Sequence, residues 1–133
     1  MYLQITLFIL LFTNYSHSQD TLYLRFIDVE NVYNNHVGNE WRFGTFLGDQ
    51  QLNKGDAINL IYYSLDEKLI LKAVLQEGKE KYNDTNSKEF ELLLRDLYNN
   101  NRDGFYIEID LREGHGRYAG NTALWKFYYE LRF

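Results

Sequence analysis

The sequence predicts an all-β protein, folded as a two-sheet antiparallel β-sandwich of seven or eight strands. Aromatic residues make up 17% of the chain, and large flat side chains are typical of pleated, half-buried surfaces. Short runs in which apolar and polar residues alternate are separated by turn-forming clusters. Strands with one apolar face each are best buried as two sheets packed face to face. A small closed β-barrel uses the same alternation and is the alternative.

The alternation is clearest in the last two runs of the chain. Every second residue is apolar from Phe105 to Leu111 and from Ala123 to Phe133, which predicts an antiparallel pair around the loop between them. Good helix formers make a helix the competing prediction for Lys88 to Tyr98. Five further strands are predicted, at Thr21 to Val29, Glu40 to Leu47, Ala57 to Tyr63, Lys68 to Gln76 and Lys88 to Leu94.

Length and charge narrow the class of protein. A chain of 133 residues corresponds to about one domain. The net charge is -5 and the acidic groups are spread along the chain, so we expect no nucleic-acid partner. The chain has no cysteine, and His36 and His115 lie in separate predicted loops, so we expect neither disulfides nor a zinc site.

The first residues have the pattern of an export signal. The run from Leu3 to Phe12 is almost wholly apolar and shorter than the ~20 residues that span a bilayer. Small residues at Ser16 and Ser18 then predict cleavage before Gln19. We therefore expect a signal peptide at 1–18, a single secreted or periplasmic domain at 19–133, and no transmembrane segment in the mature chain. No basic residue precedes the apolar run, and a buried N-terminal strand is the alternative.

Two stretches carry a resemblance to a known family. Leu69 to Leu94, LILKAVLQEGKEKYNDTNSKEFELLL, and Leu22 to Leu47, LYLRFIDVENVYNNHVGNEWRFGTFL, resemble parts of a C2 domain in their order of strands and loops. The resemblance implies a C2-like sandwich, with an immunoglobulin-like one as the other form. It also implies calcium held by loops at one end. The closely spaced Asp-x-Asp pair of that family is missing here.

Acidic residues in two predicted loops are the candidate calcium ligands. Calcium takes ~6 to 8 oxygen ligands, often carboxylates from one or two loops. The alternative is that these residues are solvated surface acids. The candidates are Asp28, Glu30, Glu77, Glu80 and Asp84.

The loop before the last strand is the candidate contact surface. Gly114, Gly116 and Gly120 explain a turn, but the loop is longer than a minimal hairpin requires, and longer ordered loops more often carry function. In the alternative, Tyr118 packs over the end of the sandwich and Arg117 pairs with an acid. The candidate contact residues are Glu113, His115, Arg117, Tyr118 and Asn121.

These observations favour an exported, non-catalytic module that contacts a protein, glycan or membrane surface through its end loops, with calcium as the one cofactor considered. A small hydrolase acting on glycans through Glu108, Asp110, Glu113 or His115 is the first alternative, since glycosidases use two carboxylates. Cross-strand pairing of Glu108 and Asp110 with Lys126 and Arg132 is the structural interpretation of the same carboxylates. A structural subunit of an envelope assembly is the second alternative.

Overall fold

The computed structural model describes residues 22–78, 83–100 and 104–132, so the predicted signal peptide at 1–18 lies outside the described residues. A short 3-10 helix at Leu60–Tyr62 and one α-helix, α1, at Leu94–Asn100 accompany the strands. The strands are β1 (Tyr23–Asn34), β2 (Trp41–Leu47), β3 (Gln50–Gln51), β4 (Ala57–Asn59), β5 (Lys68–Glu77), β6 (Asp84–Leu93), β7 (Gly104–Arg112) and β8 (Thr122–Arg132).

The strands form two four-stranded sheets, in which neighbouring strands are antiparallel. One sheet has the order β4-β1-β8-β7 and the other has the order β3-β2-β5-β6. The sheets do not close into a barrel, so the predicted all-β sandwich is confirmed and the barrel alternative is not. The predicted antiparallel pair of the last two runs is β7 with β8.

Alternate residues of both sheets meet in one apolar interior. In β8, Phe127 is fully buried and its ring lies 6.2 Å from that of Phe26 in β1. In β5, the opposite sheet contributes Leu71 and Leu75, which are also fully buried. Burying apolar surface is the dominant favourable term in folding, and the period-two pattern places it on one face of each sheet.

One hydrogen bond crosses this interior. Thr45 of β2 and Tyr129 of β8 belong to different sheets, and their hydroxyl oxygens lie 3.1 Å apart with both residues buried. Burial raises the pKa of Tyr129 to about 12, against the smaller opposing effect of the bond with Thr45. Buried hydroxyls without a partner are costly, so this pair satisfies two polar groups that the packing removes from water.

Four elements differ clearly from their predicted bounds. The strand predicted for Ala57 to Tyr63 ends at Asn59 as β4, because the Asn59 side chain accepts a hydrogen bond from the Ile61 N–H and starts the 3-10 helix. β1 continues past Val29 to Asn34, with register irregularities at Phe26/Asp28 and Asn31/Tyr33 that bend it along β8. β6 begins at Asp84, within a predicted turn, because it pairs with β5 along its whole length. The competing helix forms only beyond the end of β6, as α1.

Three connections meet at one end of the sandwich, which we call the loop end. They are the β1–β2 loop (residues 35–40), the described ends of the β5–β6 connection (Gly78 and Asn83) and the β7–β8 loop (113–121). Strand registers fix this arrangement, since Asn34 of β1 lies opposite Ala123 of β8 and Glu77 of β5 lies opposite Asp84 of β6. The loop end therefore collects residues that are distant in the sequence.

We expect the Thr45–Tyr129 pair to contribute measurably to stability. Tyr129→Phe and Thr45→Val should each lower the free energy of unfolding by about 1–2 kcal/mol, because each leaves a buried hydroxyl without its partner. The double variant should lose less than the sum of the two losses. Urea denaturation measures all three, with Tyr106→Phe on the exposed outer face as the control. Strictly additive losses would contradict an energetic coupling between the two hydroxyls.

Candidate functional site

An open recess of about 510 Å³ lies between the β1–β2 loop and the β7–β8 loop. Its walls are mainly polar, and most of the lining side chains end in a planar group. The recess is lined by Asn34, His36, Val37, Gly38, Asn39, Glu113, His115, Arg117 and Tyr118.

The β1–β2 loop is held by the side chain of Asn34, the last residue of β1. Its amide oxygen accepts a hydrogen bond from the Val37 N–H at 2.9 Å, and its amide nitrogen donates to the Gly38 carbonyl at 2.8 Å. The buried side chain of Val37 fixes the loop to the core. Between them, His36 has a positive φ of 55°, a conformation uncommon for residues other than glycine. The loop thus presents the His36 ring outward in a fixed backbone.

The β7–β8 loop is closed by backbone hydrogen bonds. The Glu113 N–H donates to the Asn121 carbonyl at 2.8 Å, and the Gly120 N–H donates to the Glu113 carbonyl at 2.7 Å. Arg117 and Tyr118 lie at the far end of this loop, where the Tyr118 side chain stays 43% exposed. The loop is ordered by its own backbone and leaves these side chains available.

The two loops meet through stacked rings. The ring centroids of His36 and Tyr118 are 5.2 Å apart with an interplanar angle of 20°. The guanidinium carbon of Arg117 lies 5.5 Å from the Tyr118 ring centroid, within the range of a cation–π contact. Stacking of this kind contributes on the order of 0.5–1.5 kcal/mol beyond area burial. We call His36, Arg117 and Tyr118 the ring stack.

The sequence predicted four of the residues that line this recess. Glu113, His115, Arg117 and Tyr118 line it, whereas Asn121 contributes the backbone bonds that close the loop. The contribution of the β1–β2 loop was missed, including His36. The sequence of this loop predicts only a turn. The local pattern does not indicate that it lies beside a loop about 80 positions later in the chain.

Three carboxylates come together behind the recess, and we call them the carboxylate trio. Glu77 ends β5, Asp84 begins β6 and Glu113 begins the β7–β8 loop. One oxygen from each lies within 4.8 Å of the others. The trio forms because β5 and β6 pair to their ends while the opposite sheet brings Glu113 over them.

Glu77 is the buried member of the trio, with 8% of its surface exposed. Burial raises its pKa, the Glu40 backbone N–H opposes this by hydrogen bonding, and the charges of Glu113, Asp84 and Glu40 raise it further. Gly38 has a φ of 137° and lies so close that a Cβ there would collide with the Glu77 carboxylate. Glycine at position 38 is therefore what lets the loop cover this acid.

Asp84 is tied to the β7–β8 loop. Its Oδ2 accepts a hydrogen bond from the Gly114 N–H at 3.0 Å, and its Oδ1 lies 3.8 Å from Nδ1 of His115. A Cβ at position 114 would lie 2.7 Å from Oδ1, so this close approach also requires glycine. Asp84 thus anchors the start of the loop that carries the recess residues.

The five predicted calcium ligands do not all come together. Glu77 and Asp84 do, and Glu80 lies outside the described residues. Asp28 and Glu30 lie within β1, because that strand runs on to Asn34 instead of ending in a loop. The following contacts hold them there: Asp28 pairs with Lys54 at 2.8 Å, and Glu30 accepts a hydrogen bond from the Tyr128 hydroxyl at 2.5 Å. Glu113, predicted only as a contact residue, completes the described trio.

The carboxylates of the hydrolase alternative are spread over two surfaces. Glu108 lies 3.5 Å from the Lys126 ammonium across β7 and β8, as the cross-strand interpretation predicted, whereas Arg132 pairs with Glu130 of its own strand. Asp110 follows on the same strand and is exposed. Of the three carboxylates named for that chemistry, Glu113 alone lines the recess.

The raised pKa of Glu77 predicts a pH-dependent effect on stability. The pKa of Glu77 is higher in the folded protein than in the unfolded chain. The resulting contribution to the free energy of unfolding is complete below the unfolded-state pKa, and it is lost as the pH rises through the folded-state pKa. Glu77→Gln keeps an acceptor for the Glu40 N–H and removes the charge. In calcium-free buffer at pH 7 it should therefore raise the melting temperature by roughly 2–5 °C.

Thermal unfolding between pH 4 and pH 8 measures this effect, and the difference between Glu77→Gln and the wild type should shrink toward pH 4. Glu89→Gln on the exposed part of β6 is the matched control and should leave the pH profile unchanged. A Glu77→Gln variant that is less stable than the wild type at pH 7 would contradict the interpretation.

Comparisons with known proteins leave the site to be interpreted from its own geometry. No protein-family model matches the chain, and the search of curated proteins found no match. The C2-like resemblance accordingly stays a prediction. Among the described residues, no helix is both long and apolar enough to cross a membrane.

Proposed function

We propose that this protein is an exported, non-catalytic binding module that contacts its partner through the loop end. The observation that carries the proposal is the open recess in which the ring stack and Glu113 converge from two separate loops. Binding sites lie disproportionately on loops positioned by a rigid scaffold. Here the scaffold is the two-sheet core, and both loops are ordered by internal hydrogen bonds.

A binding role fits this recess better than glycoside hydrolysis. A glycosidase places two carboxylates across the scissile bond, one of them an acid with a raised pKa. Among the described residues, the carboxylate with the raised pKa is Glu77, which is buried against Gly38 and is not among the lining residues. A substrate in the recess would meet one carboxylate, that of Glu113.

A structural subunit is less well supported by the sheet edges of the described residues. The edge strands β3 and β4 have two and three residues. The two longer edge strands both carry charged residues: β6 has Lys88, Glu89 and Glu91, and β7 has Glu108, Asp110 and Arg112. Short edges and charged edge residues hinder strand-to-strand association with another chain.

Calcium at the carboxylate trio is the second part of the proposal. Calcium prefers oxygen ligands, and the trio supplies three carboxylates, with backbone carbonyls and water left to complete ~6 to 8 ligands. The raised pKa of Glu77 reflects an unfavourable charge that a divalent cation would offset. Because Glu113 belongs both to the trio and to the recess, a bound cation would also hold the β7–β8 loop in place.

Calcium should raise the thermal stability of the protein. Extracellular calcium sites have dissociation constants of about 10⁻⁴–10⁻³ M. At about 10 mM calcium, a site of this strength stabilises the folded state by about 1.4–2.7 kcal/mol. Differential scanning calorimetry with and without calcium measures the shift, with magnesium as the ion control.

Two variants test whether the calcium-dependent rise in melting temperature comes from the carboxylate trio. Glu113→Gln should abolish it, whereas Glu30→Gln, which alters a carboxylate in β1 outside the trio, should keep it. An unchanged melting temperature of the wild type at 10 mM calcium, about ten times the weakest such dissociation constant, would end the calcium part of the proposal. The binding part would still stand on the recess.

Partner binding should depend on the ring stack. The immobilised protein should retain a partner from an envelope or culture-medium fraction, and Arg117→Ala with Tyr118→Ala should lose it. The matched control is Lys126→Ala with Tyr106→Ala, since Lys126 lies 4.5 Å over the Tyr106 ring on the outer face of the sheet. Loss of retention in both double variants, or in neither, would contradict a role for the loop end.

A further inference from the structure

We infer that the ligand of the recess is a neutral, hydroxyl-rich sugar of an extended glycan. This inference rests on the proposed function and names the chemical class of the partner. It is drawn from the kinds of side chain that line the recess, from their fixed positions and from the charges around them.

The lining residues supply hydrogen-bonding groups. The amide of Asn39, the imidazole of His115, the guanidinium of Arg117 and the carboxylate of Glu113 all border the recess. These groups offer both donors and acceptors, and together they can satisfy several hydroxyls that each donate and accept. A sugar ring presents adjacent hydroxyls of this kind at its edge.

The ring stack supplies the complementary apolar surface. His36 and Tyr118 line the recess with their rings stacked on each other, and both residues remain exposed, so the ring surface that this contact leaves uncovered faces solvent. One face of a sugar ring carries C–H groups, which pack against flat aromatic surfaces while the hydroxyls at the edge stay hydrogen-bonded. A recess with a few placed polar groups beside an aromatic surface therefore suits a ligand with both features.

The recess is arranged before any ligand arrives. The positive φ of His36 is held by the Asn34 side chain on one side and by buried Val37 on the other. The Tyr118 backbone carbonyl accepts a hydrogen bond from the Asn121 N–H at 3.0 Å. A fixed site loses less conformational entropy on binding, which matters for a shallow recess with a small contact area.

The charges around the recess favour a neutral ligand. In calcium-free buffer, an anionic ligand would meet Glu113, with Asp84 and Glu77 of the carboxylate trio behind it. A cationic ligand would meet the Arg117 guanidinium beside Tyr118. A neutral sugar avoids both repulsions, and its hydroxyls can hydrogen-bond to the Glu113 carboxylate and to the Arg117 guanidinium.

Peptide and membrane ligands fit the recess less well. Strand addition requires a free sheet edge, whereas apart from Asn34 the lining residues lie in loops beyond the strand ends. A helical peptide requires an apolar groove, and the aliphatic side chain of the lining, Val37, is buried. An anionic membrane surface would meet the carboxylate trio.

Affinity electrophoresis of the purified protein tests the inference. The gels contain one soluble polysaccharide each, with galactomannan, xyloglucan and mixed-linkage β-glucan as neutral probes and polygalacturonate as the anionic probe. At least one neutral polysaccharide should retard the wild type, and polygalacturonate should not. Tyr118→Ala and His36→Gly should weaken the retardation about tenfold or more, because each removes a ring of the stack.

The choice of glycine at position 36 and one control variant keep this result interpretable. His36→Gly leaves the loop intact, since glycine adopts a positive φ without strain, so its effect reports the lost ring. Tyr106→Ala removes a 52% exposed tyrosine from the outer sheet face and should retain full retardation. Circular dichroism melting confirms that each variant is folded.

The outcomes separate this inference from the proposed function. Absence of retardation by all three neutral polysaccharides, or equal retardation of the wild type and Tyr118→Ala, would overturn the sugar assignment. If the immobilised protein still retained a protein partner that was lost on Arg117→Ala with Tyr118→Ala, the binding function of the loop end would stand while the sugar assignment failed. Retardation by polygalacturonate alone would also overturn the neutral class.

Discussion

Burial of the alternate side chains of two sheets against one another is the constraint on which this protein depends. Without cysteine, the chain has no disulfide to supplement its core. The interior is therefore filled by residues such as Phe127, Leu71 and Leu75, and the buried hydroxyls of Thr45 and Tyr129 satisfy each other. The register of each strand pair is set by which face of the strand must be buried. This packing therefore positions the strand ends and loops of the described residues.

The loop end is the direct product of those registers. β5 and β6 pair from Lys68 to Glu77, and this leaves two acids facing each other at the end of the hairpin. The opposite sheet then adds a third at Glu113. Charges of one sign in a partly buried place are unfavourable, and the raised pKa of Glu77 records this. Natural proteins retain such local conflicts mostly at functional sites.

Glu113 links the two features of the loop end. Its carboxylate belongs to the trio and also lines the recess, while its backbone closes the β7–β8 loop. A change in the charge of the carboxylate trio therefore acts on Glu113, the residue whose backbone closes the β7–β8 loop. This loop carries Arg117 and Tyr118. This gives the proposed cation a mechanical role in addition to an electrostatic one, because it would hold the loop that presents the ring stack.

The sequence by itself determined the sandwich class, the positions of the long strands and four of the recess residues, because period-two alternation and a glycine-rich loop are local signals. The continuation of β1 through Asp28 and Glu30, the start of β6 at Asp84 and the assembly of the carboxylate trio were decided only by the tertiary structure. Strand ends depend on the partner strand, and His36 meets Tyr118 only because two sheets bring their loops to the same end. Contacts between residues far apart in the chain are set by the packing of the sheets, and the local sequence pattern does not predict them.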